Sequence, residues 1–160
     1  PVIALSVSAA MLATAHAFER FGGYAPCLLC LKQREVYWVA GGLALVSLAA
    51  LRSPRLQPLR PWAGLALGLV FLFGAGLAGF HAGVEWKWWP GPAACAAGGG
   101  SVAGLDMSGL IDGSLKVRPP SCDDAAWRMA GLSMAGWNAL VSLGLAAAGI
   151  FAWRFGRGRA

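Results

Sequence analysis

Four cysteines are the residues of this chain best suited to covalent chemistry: Cys27, Cys30, Cys95 and Cys122. The first two form a C-x-x-C motif, whereas Cys95 and Cys122 are 27 positions apart. Four cysteines allow three pairings, and the simplest joins each cysteine to its nearest neighbour in sequence. The first chemistry that the sequence offers is therefore thiol–disulfide exchange, in which a thiolate attacks a disulfide sulfur.

The C-x-x-C motif is preceded by Pro26 and followed by an apolar segment. Proline is tolerated in the first turn of a helix, because its missing N–H has no helical partner there. We therefore predict that the sulfurs of Cys27 and Cys30 lie in the opening turn of a helix, where the helix dipole favours thiolate over thiol. A C-x-x-C disulfide closes little chain and stabilises little, so this position suits redox turnover better than bracing.

Arg34 follows Cys30 by four residues and Cys27 by seven, which places all three on one helical face. A guanidinium one turn below Cys30 would attract an anionic sulfur or donate to a carbonyl ligand. An arginine at the edge of hydrocarbon is costly, which favours a functional role here. The alternative is that Lys32, Arg34 and Glu35 only mark the membrane interface, with long side chains that reach water.

The second cysteine pair has two interpretations. Closing the segment between Cys95 and Cys122 with a bridge would stabilise the fold by ~3–4 kcal/mol in the chain-entropy model, so a purely structural disulfide is one of them. The segment is rich in glycine and proline, including Gly98, Gly99 and Gly100. A mobile, exposed disulfide is open to thiolate attack, and this is the other interpretation.

The elements that must position these residues are apolar. Of the 160 residues, 58% are hydrophobic and 12% are charged, against about a quarter charged in soluble domains. The apolar residues come in blocks of the length that a bilayer requires. We predict an all-α membrane protein of one domain, 1–160: a four-transmembrane-helix bundle with spans at about 1–18, 31–51, 62–84 and 131–153. Gly64 and Gly68 have the small-xxx-small spacing that lets such helices approach closely.

Charge predicts the topology. The loop 52–61 and the tail after Trp153 each contain three arginines and no acid, and such short segments stay cytoplasmic. The net charge of +6 is therefore a topology signal and not a nucleic-acid interface. Both termini are expected on the cytoplasmic side of a bacterial inner membrane. The loops at about 19–30 and 85–130 are then in the oxidising periplasm, and all four cysteines fall in them. The long loop is either irregular or contains a short surface helix between Val102 and Leu115.

Three other interpretations carry less weight. Ala15-His16-Ala17 resembles a signal-peptidase site, but cleavage there would leave three spans and break the charge pattern. The four cysteines and two histidines could bind zinc, but the cysteine spacing lacks a second close pair, so we predict no metal. A c-type haem is excluded because Leu31 follows Cys30 where histidine is required.

These motifs resemble those of a known family. Pro26–Cys30 followed by Gln33 and Arg34 resembles the first periplasmic motif of the disulfide bond formation protein B (DsbB) family. His81 before Trp89–Cys95 is similar to that family's approach to its third cysteine.

The resemblance continues to the fourth span. Cys122 with Trp127, followed by Gly131–Met134 and Trp137, resembles the entry to that family's fourth helix. It covers nearly the whole chain in order. The related vitamin K epoxide reductase group places its quinone-side C-x-x-C late in the chain, whereas here the motif opens the second span.

The resemblance implies an oxidoreductase mechanism. The Cys95–Cys122 disulfide would accept electrons from a reduced periplasmic DsbA-type thiol oxidase through a mixed disulfide at Cys95. Exchange would pass the electrons to Cys27 and Cys30, and Cys30 would reduce a bound quinone, ubiquinone or menaquinone.

The resemblance also implies two quinone-binding residues. Arg34 would hold and polarise the quinone, and His81 would lie near it. The alternative for His81 is a ring satisfied by a backbone carbonyl at a helix end. Asn138 in the fourth span is suited to a hydrogen bond between helices, and we assign it no chemistry.

A non-enzymatic alternative is a small membrane scaffold or transporter subunit with structural disulfides. Its disulfides would be inert, and Arg34 would have no role in it. A transporter more often shows polar residues or broken helices at mid-membrane, and the apolar blocks contain few.

Overall fold

The structure, a computed structural model, describes residues 1–96 and 121–156. It is mostly helical, and the predicted surface helix between Val102 and Leu115 lies outside the described residues. The elements follow in chain order: α1 (Val2–Gly22), α2 (Leu28–Ala50), a 3-10 helix (Pro54–Leu59), α3 (Arg60–Glu85), α4 (Ala93–Ala96), β1 (Arg128–Met129), β2 (Leu132–Ser133) and α5 (Met134–Gly156).

Four long helices correspond to the four predicted spans. By length and composition, three helical segments within residues 1–96 and 121–156 could cross a membrane: Val2–Gly22, Pro54–Glu85 and Met134–Gly156. Helix α2 is equally long but is not among them, because its first turns contain Lys32, Gln33, Arg34 and Glu35. The prediction of a fourth span therefore depends on the apolar remainder of α2.

Local sequence explains where the helices begin and end. Helix α1 continues past residue 18 to Gly22 and stops at Gly23, whose φ of 68° is the left-handed conformation that glycine adopts at low cost. Helix α2 begins at Leu28 with Cys27 as its N-cap. Pro26 therefore precedes the cap, and its predicted place inside the first turn was wrong by two positions.

Glycine brings α3 and α5 into close contact, as the small-xxx-small spacing predicts. A Cβ added to Gly149 would lie 2.7 Å from the carbonyl oxygen of Gly64 and 2.8 Å from the Cα of Gly68. The backbones pack at this distance only because none of the three residues has a side chain.

The buried core between the helices is built largely from small side chains. Tyr37 of α2 and Phe71 of α3 are its large members, with ring centroids 6.0 Å apart. Large apolar side chains such as Trp38, Phe73 and Leu143 lie on the outside. An apolar outer surface around a core of small residues is expected of helices that pack in lipid.

A short antiparallel hairpin precedes α5 and was not predicted. Arg128 pairs with Ser133 and Met129 with Leu132. The turn residues Ala130 and Gly131 have φ values of 51° and 82°, the positive values that a tight hairpin needs. As a result α5 begins at Met134 and not at residue 131.

Candidate redox site

The C-x-x-C motif lies at the start of α2, as predicted. Cys27 caps the helix with extended backbone, and its Sγ accepts a hydrogen bond from the backbone N–H of Cys30 at 3.3 Å. The two sulfurs are 2.8 Å apart, and both residues are free thiols. The pair is therefore positioned to open and close a disulfide with little backbone movement.

The surroundings of Cys27 favour its thiolate. The hydrogen bond from the Cys30 thiol lowers the pKa of Cys27 to about 5, and a hydrogen bond from His81 acts in the same direction, whereas burial acts against both. Because the thiolate is the nucleophile in exchange, Cys27 is the more reactive sulfur of the reduced pair.

Cys95 and Cys122 form a disulfide, so the simplest pairing is confirmed for these two residues. Cys95 is 6% exposed and Cys122 is 1% exposed. The prediction of an exposed disulfide was therefore wrong. The reason is packing: both residues belong to a buried apolar cluster with the start of α2.

This cysteine cluster consists of Cys27, Leu29, Cys95 and Cys122, with Leu28, Cys30 and Leu77 packed against it. It brings both cysteine pairs into one apolar environment, although 65 positions separate Cys30 from Cys95 in the sequence. Electron exchange between two pairs requires such proximity, because a sulfur of one pair must reach a sulfur of the other.

Contacts at the end of α3 hold the segments that contain the disulfide. The Nζ of Lys87 donates to the carbonyl oxygen of Asp123 at 2.6 Å and to its carboxylate at 2.8 Å. This ammonium lowers the pKa of the Asp123 carboxyl. Trp89 folds back on α3, where its Nε1 donates to the carbonyl oxygen of Phe80 at 3.0 Å. These contacts tie residues on both sides of the bridge to one helix end.

His81 lies beside the C-x-x-C pair. Its Nε2 is 3.6 Å from the Sγ of Cys27, and its Nδ1 is 2.8 Å from the Nε2 of Gln33. Both ring nitrogens thus face side chains. The alternative interpretation, in which a backbone carbonyl satisfies the His81 ring, is not what the described residues show. His81 is 3% exposed, so its contacts are shielded from water.

Arg34 faces a different helix. Its guanidinium donates to the carboxylate of Glu19 at 2.5 Å and to the carbonyl oxygen of Ala15 at 3.2 Å. The hydrogen bond to the histidine comes instead from its neighbour Gln33. A role for Arg34 toward quinone stays a prediction.

The predicted hydrogen bond between helices at Asn138 is confirmed. It belongs to a buried polar chain, continuing from Gln33, that the sequence interpretation did not predict. The amide of Asn138 donates to the Oε1 of Gln33. The Oδ1 of Asn138 accepts from the hydroxyls of Tyr37 at 2.5 Å and Ser142 at 3.2 Å. Polar residues inside apolar spans are costly and are the signal that could have identified this chain.

Glu85 is a second buried group that the sequence interpretation missed. Its Oε1 is 3.9 Å from the Nε2 of His81. Its Oε2 is buried and has no hydrogen-bond partner within the described residues. A buried carboxylate oxygen normally has one, so this atom is available to a ligand.

Three atoms of the site could also bind a metal ion. The donor atoms of Cys27, Cys30 and His81 all lie within 4.8 Å of one another. Two sulfurs and one imidazole are suitable zinc ligands. The absence of a metal therefore stays a prediction, and metal analysis of the purified protein tests it.

Comparison with known proteins assigns the chain to a family. The family described as disulfide bond formation protein DsbB matches residues 1–152. The chain belongs to the DsbB family. Membership makes it a membrane oxidoreductase of disulfide bond formation, with helices consistent with a multi-pass membrane protein.

Individual DsbB relatives are similar over most of their length. Disulfide bond formation protein B of Methylococcus capsulatus is 32% identical over 149 residues, which cover 91% of this chain and 87% of that protein. Disulfide bond formation protein B 2 of Pseudomonas entomophila is 34% identical over 149 residues, covering 90% of this chain and 83% of that protein. No solved structure matches the chain significantly.

Proposed function

We propose that this DsbB-family protein reoxidises a periplasmic DsbA-type thiol oxidase and passes the electron pair through two cysteine pairs to a membrane quinone. The observation that carries the proposal is the cysteine cluster, in which Cys27, Cys95 and Cys122 are buried together and Cys30 packs against them. A bridge with no redox role would have no need for a reduced C-x-x-C beside it.

The first half of the reaction takes place at Cys95 and Cys122. A partner thiolate attacks the Sγ of Cys95, forms a mixed disulfide and releases Cys122 as a thiolate. The second thiol of the partner then attacks the partner sulfur that is bonded to Cys95, and Cys95 is released. The partner has lost two electrons and two protons and is a disulfide, and the pair Cys95 and Cys122 is reduced.

Internal exchange completes the transfer to the C-x-x-C. The reduced pair attacks a Cys27–Cys30 disulfide, so that Cys95 and Cys122 are rejoined and the C-x-x-C becomes two thiols. The described state, with one disulfide and two free thiols, has the composition expected after this step. Its reoxidation releases two electrons and two protons.

A bound quinone supplies the acceptor for these electrons and protons. The residues at the site fit such a group, because Cys30 is only partly buried and a protonated Glu85 carboxyl would donate from its buried, unpartnered Oε2 to a quinone carbonyl. Arg34 has five N–H donors, of which two are engaged with Glu19 and Ala15. It can therefore still donate to a quinone carbonyl. We propose Arg34 and His81 as the quinone-binding residues: Arg34 donates to the quinone, and the His81 ring lies against it, since both ring nitrogens of His81 already face Gln33 and Cys27.

We further propose that the protein lies in the bacterial inner membrane with four helices crossing it, both termini in the cytoplasm and the cysteine cluster on the periplasmic side. The arginines of loop 52–61 support this orientation.

The test is a relay assay with purified protein, a reduced DsbA-type oxidase and a ubiquinone analogue. We expect quinone absorbance to fall with the native protein and not with any of the four single Cys→Ser variants. An unchanged rate in Cys27→Ser or Cys30→Ser would disprove the relay.

The same assay separates a structural bridge from a redox one. A double variant in which Cys95 and Cys122 are both replaced by serine should lose turnover with the oxidase while its C-x-x-C still reacts with small-molecule thiols. Retention of full turnover would mean that the bridge is structural. Trapping a mixed disulfide between the Cys122→Ser protein and the oxidase then tests the partner and the attack site together.

A further inference from the structure

Three helices meet in a buried chain of hydrogen bonds that ends at the reactive sulfur. Gln33 comes from α2, His81 from α3 and Asn138 from α5, and all three are buried. The chain runs from Tyr37 and Ser142 through Asn138 and Gln33 to His81. None of these contacts is local in sequence except that between Asn138 and Ser142.

We infer that Asn138 is a positioning residue of the redox pair. Through Gln33 it holds His81 in the tautomer that carries its proton on Nε2. This N–H donates a hydrogen bond to the Cys27 sulfur. The inference rests on the proposed function for the role of Cys27 in turnover. It adds two residues, Asn138 and Gln33, to the machinery of the site.

The direction of the chain follows from the two hydroxyls at its far end. The Oδ1 of Asn138 accepts from both Tyr37 and Ser142, which an amide oxygen with two lone pairs can do. If the amide were reversed, both hydroxyls would have to accept from it. They are 3.1 Å apart, so one could donate to the other, and the remaining buried proton would have no acceptor within these contacts. In the observed direction both hydroxyl protons have an acceptor in the Oδ1 of Asn138.

The rest of the chain is then determined. With its oxygen occupied, Asn138 presents its NH2 to Gln33, so the Oε1 of Gln33 is the acceptor. The NH2 of Gln33 therefore faces the Nδ1 of His81 at 2.8 Å. An amide nitrogen can only donate, so Nδ1 accepts. A neutral imidazole whose Nδ1 accepts carries its proton on Nε2.

The Nε2 proton has one close acceptor among the groups that face it. The Sγ of Cys27 is 3.6 Å away, within the range of a hydrogen bond to sulfur, whereas the carboxylate of Glu85 is 3.9 Å away and too far for one to oxygen. The Sγ of Cys30 is the other close neighbour of the Cys27 sulfur, at 2.8 Å. His81 therefore acts as a donor to the Cys27 thiolate and not as its base.

Two substitutions reverse the chain with little change of shape. In Asn138→Asp the carboxylate can only accept, so Gln33 must turn its NH2 toward it and its oxygen toward His81. In Gln33→Glu the carboxylate itself faces Nδ1. Both variants should move the proton to Nδ1. Ser142→Ala is the matched control on α5, because Tyr37 still donates to Asn138 and the direction is kept.

The measurement is the ¹⁵N chemical shift of the histidine ring nitrogens in the full chain in detergent. The chain has only two histidines, and His16→Gln assigns the signals. We expect Nε2–H for His81 in the native protein and in Ser142→Ala, and Nδ1–H in Asn138→Asp and Gln33→Glu. Nδ1–H in the native protein, or no shift in both variants, would overturn the inference.

A second readout is the alkylation rate of Cys27 below neutral pH in a Cys30→Ser background. Loss of the donor should slow alkylation about tenfold in Asn138→Asp, the size expected for one hydrogen bond to a charged group. An unchanged rate would overturn the inference. Neither readout uses quinone or a thiol oxidase, so failure of the relay assay and failure of this inference are distinguishable.

Discussion

Arg34 of α2 donates to the carboxylate of Glu19 at the far end of α1, at 2.5 Å. The Arg34 side chain is 15% exposed and that of Glu19 is 39% exposed, so the pair lies at the edge of the protein between the two helices. The ion pair neutralises an arginine that would be costly at the membrane boundary. It also orients a guanidinium that keeps free donors.

We expect Arg34→Ala to raise the KM for quinone severalfold while Cys95–Cys122 still forms, because the proposed donor to the quinone carbonyl is lost. The measurement is quinone reduction at varied quinone concentration, with thiol counting on the same sample. Lys32→Ala is the control, since Lys32 is exposed and its ammonium pairs with Glu35. A normal KM in Arg34→Ala would leave the residue as an interface anchor.

The low pKa of Cys27 predicts reactivity well below neutral pH. Its folded-state pKa is about 5 against an ordinary 9.0, mainly because Cys30 donates to it. Above pH 9 Cys27 is a thiolate in both the folded and the unfolded chain, and the contacts of the thiolate contribute their full stabilisation to the folded state. This contribution decreases as the pH falls below 9, and it is lost once the pH has fallen through the folded pKa of about 5.

The check is the rate of alkylation by iodoacetamide between pH 4 and 9, with mass spectrometry to locate the adduct. Cys30→Ala should move the midpoint for Cys27 upward toward the ordinary thiol value, because the main donor is removed. A midpoint near 9 in the native protein would contradict the geometry of the reduced pair.

Gly149→Ala should destabilise the protein by roughly 1–3 kcal/mol, the usual cost of overpacking a filled interior. The added Cβ would meet the backbone of Gly64 and Gly68 on α3. Gly144→Ala on the same helix is the control, since a Cβ there meets nothing within 4 Å. Thermal unfolding in detergent should show a lower Tm for Gly149→Ala only; equal Tm values would mean that α3 and α5 pack less closely.

We expect the purified protein to contain no stoichiometric zinc, because the proposed function requires Cys27 and Cys30 to cycle between thiol and disulfide. Metal analysis of protein prepared without chelators is the measurement. Zinc at one equivalent that disappears in His81→Ala would replace the redox assignment of this cluster by a metal site.

The proposed topology predicts opposite labelling of two exposed positions. In a background without native cysteines, Ala25→Cys should react with a membrane-impermeant maleimide in intact cells. Gln57→Cys, in the arginine-rich loop, should react only after the cells are permeabilised. The reverse pattern would place the C-x-x-C in the cytoplasm and refute the relay.

Much of the fold follows from local sequence. Blocks of apolar residues determine that the chain is helical and where its long helices lie, because a backbone in lipid must satisfy its own hydrogen bonds. The position of Cys27 and Cys30 at the start of α2 is equally local, since the proline and the first turn are neighbours in the chain. The hairpin at Ala130 and Gly131 escaped prediction because two short strands carry almost no periodic signal.

The site itself depended on how the helices pack. Gln33 and Arg34 are adjacent and point to different helices, one to His81 of α3 and the other to Glu19 of α1. Sequence determines that neighbouring residues diverge by about 100° around a helix, but not which helix stands in each direction. Residues distant in sequence, such as Gln33 and Asn138, meet only when the helices pack, and that packing decides which polar groups share the interior with the Cys27 sulfur.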